Sequence, residues 1–449
     1  MIYNLEKWSR DQKYKIGVMR MEIKRDRYLK KLIRKRNNGL IKVITGIRRC
    51  GKSYLLFSLY YDYLINDGVP EDCIISVPLD DDDYVEYCDP QKLNEYIKSR
   101  MTDSKKHYYV FIDEAQYAIT TKEMKDPDVP IRLYGVLNGL LRKRNVDVYV
   151  TGSNSKFLSS DIMTEFRGRG DEIHIAPLSF SEYLPVSGKD KYDAWQDYLF
   201  YGGLPHILAE PDNESKEVYL DRLNSEIYMR DIVERYDIRD VDALDSLMRV
   251  IASAVGSLSN PLRISDTFKS NGYKSISIPT ISNYLRYLTE SFIIQKAERY
   301  DIKGRKYIGT PLKYYYTDLG LRNALLNFRQ FEETHLMENA IYNELIYRGY
   351  KVDVGVVDLR VNESGKRIHK QLEVDFVVNQ GSKRYYIQSA YALPNQEKIE
   401  QEQASLIKIP DSFKKIIITG GNTPVWRNDY GITIMGLFDF MLNEDSLDY

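Results

Sequence analysis

The chain is poor in cysteine, has almost no net charge and contains no long apolar run. Cys50, Cys73 and Cys88 are its three thiols. The number is odd and none forms a Cys-x-x-Cys pair, so neither a disulfide framework nor a zinc site is suggested. Such sparing use of cysteine fits a reduced, cytoplasmic compartment. No stretch reaches the ~18 uninterrupted apolar residues of a membrane helix, and "MIYNLEKWSRDQK" at the start has no apolar core of signal-peptide length. Neither export nor a membrane partner is expected. The five histidines are scattered, without HExxH or another metal spacing, and no GxSxG elbow occurs. Charge of neither sign dominates: 64 Lys+Arg stand against 65 Asp+Glu. That balance leaves nucleic acid open as a partner, because charge is free to segregate along a chain.

What is present is apolar material, 43% of 449 residues. At ~100–200 residues per domain this supports two to four domains. Gly46-Ile47-Arg48-Arg49-Cys50-Gly51-Lys52-Ser53 matches G-x-x-x-x-G-K-[ST] at every fixed position. In such a loop the glycines let backbone N–H groups curl around phosphates. Lys52 supplies a point charge to the β and γ groups, and the Ser53 hydroxyl ligates Mg²⁺. The flanks agree. "LIKVIT" (Leu40–Thr45) reads as a buried strand, and "KSYLLFSLYYDYL" has apolar residues at helical spacing. Strand, loop, helix is the order an anion site needs, since the helix N-terminus adds its dipole. ATP and Mg²⁺ are therefore the expected cofactors, held by Gly46 to Ser53 and the adjoining Tyr54.

A second run, "HYYVFIDEAQ" (His107–Gln116), is a strand ending in Asp113-Glu114. A carboxylate at that tip holds Mg²⁺ through water, the Walker B role, which falls to Asp113. Glu114 is placed to polarise an attacking water. The same pair would otherwise merely cap the following helix; with Lys52 upstream, the catalytic reading is preferred.

Together "IKVITGIRRCGKS", "FIDEAQ", "VTGSNSKFLSS", "APLSFSEYL", "YGGLPHIL" and "RDIVERYDIRD" resemble a widespread bacterial and archaeal family. Its members join an AAA-type ATPase domain to a C-terminal domain of unknown function, and the resemblance runs over nearly the whole chain from about Ile23. It implies an α/β fold: an N-terminal extension (1–22), a P-loop AAA-type parallel-sheet core (23–185) and a helical lid (186–241). It also implies a sensor for the γ-phosphate or the lytic water at the end of "VDVYVTGSNS", with Asn154 the first choice and Ser153 the second. Arg167 and Arg169, just before "EIHIAP", stand where AAA proteins carry an arginine finger for a neighbouring subunit, which would require a homo-oligomer. The alternative is a solvated pair, or local ion pairs with Glu165 and Asp171. In "YGGLPHIL", Gly-Gly-x-Pro reads as a fixed turn between lid helices.

From about Asp242 the pattern changes. "ALDSLMRVIASAVGSL", "RISDTFKSNG" and "SIPTISNYLRYLTESFIIQK" read as three helices, followed by strand-like pieces in "AERYDIKGRKYIGTPLKYYYTD". This order resembles a winged helix (242–328). Between Leu262 and Lys313 ten Lys/Arg face four Asp/Glu, a surplus of six. DNA is the partner this suggests, with Arg286, Lys274, Lys303, Arg305 and Lys306 as phosphate contacts. A protein-interaction module with a solvated basic face is the alternative.

Residues 329–449 hold a helix, "HLMENAIYNELIYRGY", then "KVDVGVV", "QLEVDFVVNQ" and "RYYIQSAYAL" as strands. The succession is similar to the restriction-endonuclease-like fold of the PD-(D/E)-x-K superfamily. There an Asp and a Glu on successive strands bind Mg²⁺, and a Lys two residues on assists the water. Asp375 fills the first position, but the next strand reads Gln388-Ser389-Ala390, without acid or lysine. Lys398 is the candidate for a migrated lysine. The expectation is an inactive nuclease-like scaffold. Two charged runs read as bland: "LDDDDYVEYCD" as a solvated loop, and "RDRYLKKLIRKRNNG" as a helix packing Tyr28, Leu29, Leu32 and Ile33 on the core.

The function expected is hydrolysis of Mg-ATP coupled to nucleic-acid binding or remodelling. Two rivals stand beside it. One is an ATP-binding switch or scaffold with a protein partner and little turnover. The other is an ATP-regulated, metal-dependent nuclease using Asp375 and Glu344.

Overall fold

The structure, a computed structural model, describes residues 22–126, 128–153, 169–272, 276–363 and 366–449. The expected sites Asn154, Arg167 and Lys274 lie outside the described residues. The chain divides into two compact units, Met1–Pro177 with Glu290–Phe292, and Leu178–Thr289 with Ile293–Tyr449.

Continuous apolar runs build the sheet of the first unit. Strands β1 (Ile41–Thr45), β3 (Tyr108–Asp113) and β4 (Val146–Gly152) are buried at every position. With β2 (Ile74–Pro78) and β5 (Gly170–His174) they form an all-parallel sheet of order 2-3-4-1-5. A parallel sheet has no wet face, so alternate side chains go to opposite helical layers. Val43, Val110 and Val148 pack towards Leu93 and Ile97 of helix α3 (Pro90–Arg100) and Leu133 and Leu137 of α4 (Arg132–Leu141). Phe111 and Tyr149 meet Phe57 and Tyr60 of helix α2 on the other side, with ring centroids 5.1–5.9 Å apart. Helix α2 follows the glycine loop and is α-helical over Lys52–Tyr54, π-helical over Leu55–Tyr60 and α-helical again over Tyr61–Asn66. Helix α1 (Asp26–Lys35) buries Tyr28 and Leu32, two of the four residues expected on its inner face.

In the second unit, residues 186–241 are largely helical, with α5 (Phe180–Ser187) just before them and α6 (Lys191–Tyr201) and α7 (Asn213–Arg222) within. Then come α8 (Val241–Ser253), α9 (Pro261–Ser270) and α10 (Ile278–Glu290), the three helices expected. The hairpin after them, β6 (Ile294–Asp301) and β7 (Lys306–Tyr316), is not freestanding. β6 pairs in parallel with β8 (Lys351–Glu363), Arg299 opposite Val354 and Asp301 opposite Val356. The hairpin thereby joins an eight-stranded mixed sheet of order 12-13-11-10-9-8-6-7, whose far edge is β12 (Trp426–Arg427) and β13 (Thr433–Gly436). The division expected at 328/329 thus falls between strands of one sheet, because the inner edge of the hairpin satisfies its backbone groups on β8. Helix α11 (Leu319–Leu325) and helix α12 (Glu333–Tyr347) precede β8. Antiparallel β9 (Lys366–Gln380) and β10 (Lys383–Ala390) follow, then α13 (Gln396–Ile407) and β11 (Lys414–Thr419), parallel to β10.

The "YGGLPHIL" turn owes its shape to a partner far along the chain. Asp318, the N-cap of α11, accepts the Gly203 N–H at 2.8 Å. Gly202 has φ +77°, and a Cβ there would overlap Asp318 Oδ1. Asn323 Nδ2 donates to the Leu199 and Phe200 carbonyls at 2.9 Å, holding the end of α6 as well. No helix among the described residues is long and apolar enough to cross a membrane.

Candidate active site

The strand order places β4 between β1 and β3, so the carboxyl ends of these strands meet at one edge of the sheet. Open parallel sheets bind ligands at such an edge. The chain leaves β1 through Gly46, whose φ is +148°; a Cβ there would overlap the Ile175 carbonyl and come within 3.0 Å of Cys50 Sγ. Arg49 (φ 69°) and Gly51 (φ 97°) supply the remaining left-handed turns that bring the loop onto α2. Ile47 and Cys50 are fully buried under the loop, while Arg49 faces solvent. Burial pushes the Cys50 thiol pKa up, so Cys50 is packing material rather than a nucleophile.

Lys52 is buried, its ammonium donating to the Gly46 and Ile47 carbonyls at 3.2 and 3.3 Å. Glu114 Oε1 lies 3.9 Å away. Asp113, at the tip of β3, is also buried. The Thr151 hydroxyl donates to its Oδ1, and Ser53 hydrogen-bonds the same carboxyl. Burial first, and the neighbouring Glu114 charge second, push its pKa up to about 7 against the pull of those hydroxyls. Glu114 sits in the left-handed region (φ 46°, ψ 50°), an uncommon conformation for a non-glycine residue. Its N–H donates to Thr151 Oγ1 at 3.0 Å, and Gln116 Nε2 donates to its Oε2. Lys52, Ser53, Asp113 and Glu114 are thus brought together as the sequence suggests.

Two members of the constellation were not singled out by sequence. Thr151 lies in the quoted strand "VDVYVTGSNS" and Gln116 in "FIDEAQ", yet neither carries a motif of its own. Their position at the carboxyl ends of β4 and β3 is the signal that would have found them. Ser153, the second choice for a sensor, is buried just beyond β4. Two side chains read as bland also stand near the site. His174 has its pKa pushed down to about 4, by burial first and then by Lys52 and Lys31. Asp80, in the acidic loop after β2, has its pKa raised by burial and then by Glu114.

Arg169 is exposed at the other end of the sheet. Its carbonyl accepts the Ile41 N–H at 3.0 Å, at the start of β1, whereas the glycine loop begins after Thr45. The structure does not bring it to Lys52 of its own chain. Asp171, considered as its ion-pair partner, pairs with Lys35 and accepts from Asn38 at 3.1 Å.

In the second unit, Arg286, Lys303, Arg305 and Lys306 are exposed. Part of the basic surplus is internal, since Arg299 and Lys313 are buried. Glu344 ion-pairs Arg348 at 2.7 Å, and Arg348 in turn donates to Ser446 Oγ and the Phe440 carbonyl. The pairing of Glu344 with Asp375 expected of a nuclease is therefore corrected: a buried arginine one helical turn on has taken the Glu344 carboxylate. Lys398 ion-pairs Glu402 at 2.6 Å on the same helix.

Residues 38–184 match the model of an AAA domain, and residues 192–332 match a domain of unknown function (DUF8612). An uncharacterized protein of Haemophilus influenzae is 33% identical over 425 residues, covering 94% of this chain and 98% of its own. An uncharacterized protein of Methanocaldococcus jannaschii is 28% identical over 379 residues, covering 81% of this chain and 77% of its own. Among solved structures, a Walker-type ATPase of Pyrococcus abyssi is 17% identical, with a TM-score of 0.47, over 68% of this chain and 96% of that one. The Aeropyrum pernix Orc1 protein in complex with DNA is 13% identical, with a TM-score of 0.29, over 70% and 96%. With its glycine loop, its 2-3-4-1-5 parallel sheet and a relative matched almost end to end, the chain belongs to a family of bacterial and archaeal proteins that couple an AAA-type P-loop domain to a domain of unknown function.

Proposed function

We infer that the chain binds Mg-ATP in the loop Gly46–Ser53 and hydrolyses it. The observation that carries this reading is the shared edge on which Lys52, Ser53, Asp113, Glu114 and Thr151 meet. The backbone N–H groups of the loop and the α2 N-terminus take the phosphates, and Lys52 exchanges its two carbonyl partners for phosphate oxygens. Ser53 and Asp113 are hard oxygen donors bonded to one another, a set that suits Mg²⁺. Mg²⁺ held there would neutralise charge on the transferred phosphoryl group. Glu114 orients the attacking water and accepts its proton, while Thr151 fixes the Glu114 backbone and the Asp113 carboxyl in register.

Coupling to nucleic acid is the second part of the proposal. It is supported by exposed Arg286 on α10 and by Lys303, Arg305 and Lys306 at the β6–β7 turn, a helix and hairpin tip of winged-helix order. A slow nucleotide switch is the second reading, favoured by the ties Gln116 and Lys52 already make to the Glu114 carboxylate. Phosphate release by wild type, Lys52→Ala and Glu114→Gln, with and without duplex DNA, separates the two. Turnover raised by DNA and lost in both variants supports the coupled ATPase. Slow turnover, equal in wild type and Glu114→Gln and indifferent to DNA, supports the switch.

A further inference from the structure

Lys313 lies on β7 where that strand turns from exposed to buried, and is itself 3% exposed. Its ammonium is 2.9 Å from Glu338 Oε1 on α12, 2.7 Å from Glu373 Oε1 and 3.8 Å from Asp375 Oδ1, both on β9. Separate donors hold two of these carboxylates in place. Tyr315 OH donates to Glu338 Oε1 at 2.7 Å, and the Ser389 N–H donates to Asp375 Oδ2 at 2.8 Å. Gly256 leaves room for Glu338, whose oxygens would lie 3.2 Å from a Cβ at that position.

Three carboxylates turned to one point repel each other unless a cation sits among them. In the nuclease-like reading that cation is a divalent metal; here it is an ammonium from the chain itself. Taking an ammonium out of water costs several kcal/mol unless its partners are well placed, and three acidic partners offset that cost. The residues around it point the same way. Gln388 and Ala390 offer neither an acid nor a lysine. A lysine that assists a hydrolytic water needs access to solvent and a free N–H. Lys313 is enclosed, with carboxylates drawn around its ammonium.

We propose that Lys313 is the resident cation of this centre, in place of a divalent metal, and that its ammonium keeps the C-terminal sheet from metal-dependent phosphodiester cleavage. Without the ammonium, the same carboxylates accept a hard divalent cation. The inference deepens the reading of this sheet as an inactive nuclease-like scaffold, and does not depend on ATP hydrolysis.

Mn²⁺ titration of nucleotide-free, full-length protein, followed by electron paramagnetic resonance, tests it. Wild type and Asp375→Asn should bind Mn²⁺ alike. Lys313→Met should gain a site at least tenfold tighter than any in wild type, and Lys313→Met/Asp375→Asn should lose it. A wild-type site that disappears in Asp375→Asn, or a folded Lys313→Met without the gain, overturns the proposal. Should Lys313→Met or Asp375→Asn fail to fold, wild type against Glu373→Gln decides, because Glu373 is half-exposed. Equal Mn²⁺ binding supports the proposal and loss of a site defeats it. Plasmid nicking by wild type that Lys313→Met abolishes would also overturn it, by making Lys313 a catalytic group. No arm uses nucleotide, so this proposal and the ATPase reading fail separately.

Discussion

Thr151 bridges the two acidic residues of the candidate site with one hydroxyl, giving its proton to Asp113 and a lone pair to the Glu114 N–H. Valine keeps the shape and removes both bonds, leaving a buried N–H unpaired at a cost of ~1–3 kcal/mol. That loss falls where Glu114 is aimed, so Thr151→Val should lower phosphate release by ~10-fold or more while ATP binding drops far less. Thr151→Ser should restore most of the rate. Equal loss of binding and turnover, unrescued by serine, would reduce Thr151 to a packing residue. The motif residues were legible because their spacing is local: a loop of fixed length, then an acid pair at a strand tip. Thr151 and Gln116 were not, because their roles exist only once β4 lies between β1 and β3. Lys42 makes the same point in the core. It hides in the apolar run "LIKVIT", yet its ammonium is buried against Asp147, which also accepts from Tyr149 OH at 2.7 Å. Lys42→Met alone would strand Asp147 and should cost ~3–5 kcal/mol in chemical denaturation, and Lys42→Met/Asp147→Leu should recover much of it. Recovery by the double variant is the discriminating result, since a simple packing defect would worsen.

Among the elements, the turn between α6 and the short helix Pro205–Ala209 depends most on distant residues. Its Gly-Gly-x-Pro announces a turn in the sequence itself; the Asp318 carboxylate that clamps it lies 115 positions away and has no local sign. Burial raises the Asp318 pKa from 3.8 to about 6, against backbone N–H bonds from Gly203, Leu321, Gly320 and Leu204 that lower it. The folded state therefore holds this proton more tightly than the unfolded chain. The resulting stability is fully present below pH ~4 and is lost as pH rises through 6, a span of about 3 kcal/mol. Asp318→Asn keeps an acceptor and removes the titration. The difference in urea midpoint between wild type and Asp318→Asn should thus shrink from pH 4 to 6 and level off above it. A constant difference over that range would place the titration elsewhere. Gly202→Ala, forced to a positive φ against Asp318, should destabilise by ~1–3 kcal/mol at any of these pH values. The hairpin β6–β7 shows the other limit of local reading. Its strands were visible in the sequence, but their membership in the C-terminal sheet depends on β8, some 55 residues further on in register.

At the scale of the whole molecule, the position of Arg169 gives assembly a physical meaning. Within its own chain this arginine stands at the amino-terminal edge of the parallel sheet, while the phosphate loop opens at the carboxyl edge. Strands advance ~3.3 Å per residue, so the length of β1 alone separates the two by ~15 Å. A guanidinium so placed can reach a γ-phosphate only if a second chain presents it. If Arg169 is such a finger, the ATPase site is complete only in an oligomer, and turnover per chain must fall on dilution while ATP binding to each chain persists. Glu114→Gln, which should retain nucleotide, is the form in which to look: with Mg-ATP its sedimentation should move from the 52.6 kDa of one chain to a multiple of it. Arg169→Ala should depress phosphate release by ~10³-fold, as removal of a charge-stabilising arginine does in related phosphoryl transfers, without weakening ATP binding. An equimolar mixture of Arg169→Ala and Lys52→Ala should then regain part of the rate, because each variant supplies the half-site the other lacks. Turnover that is independent of concentration, with a mass of one chain in Mg-ATP, would instead mean that one chain holds everything the reaction needs, and the nearby cations Lys52 and Arg48 would have to carry the charge alone.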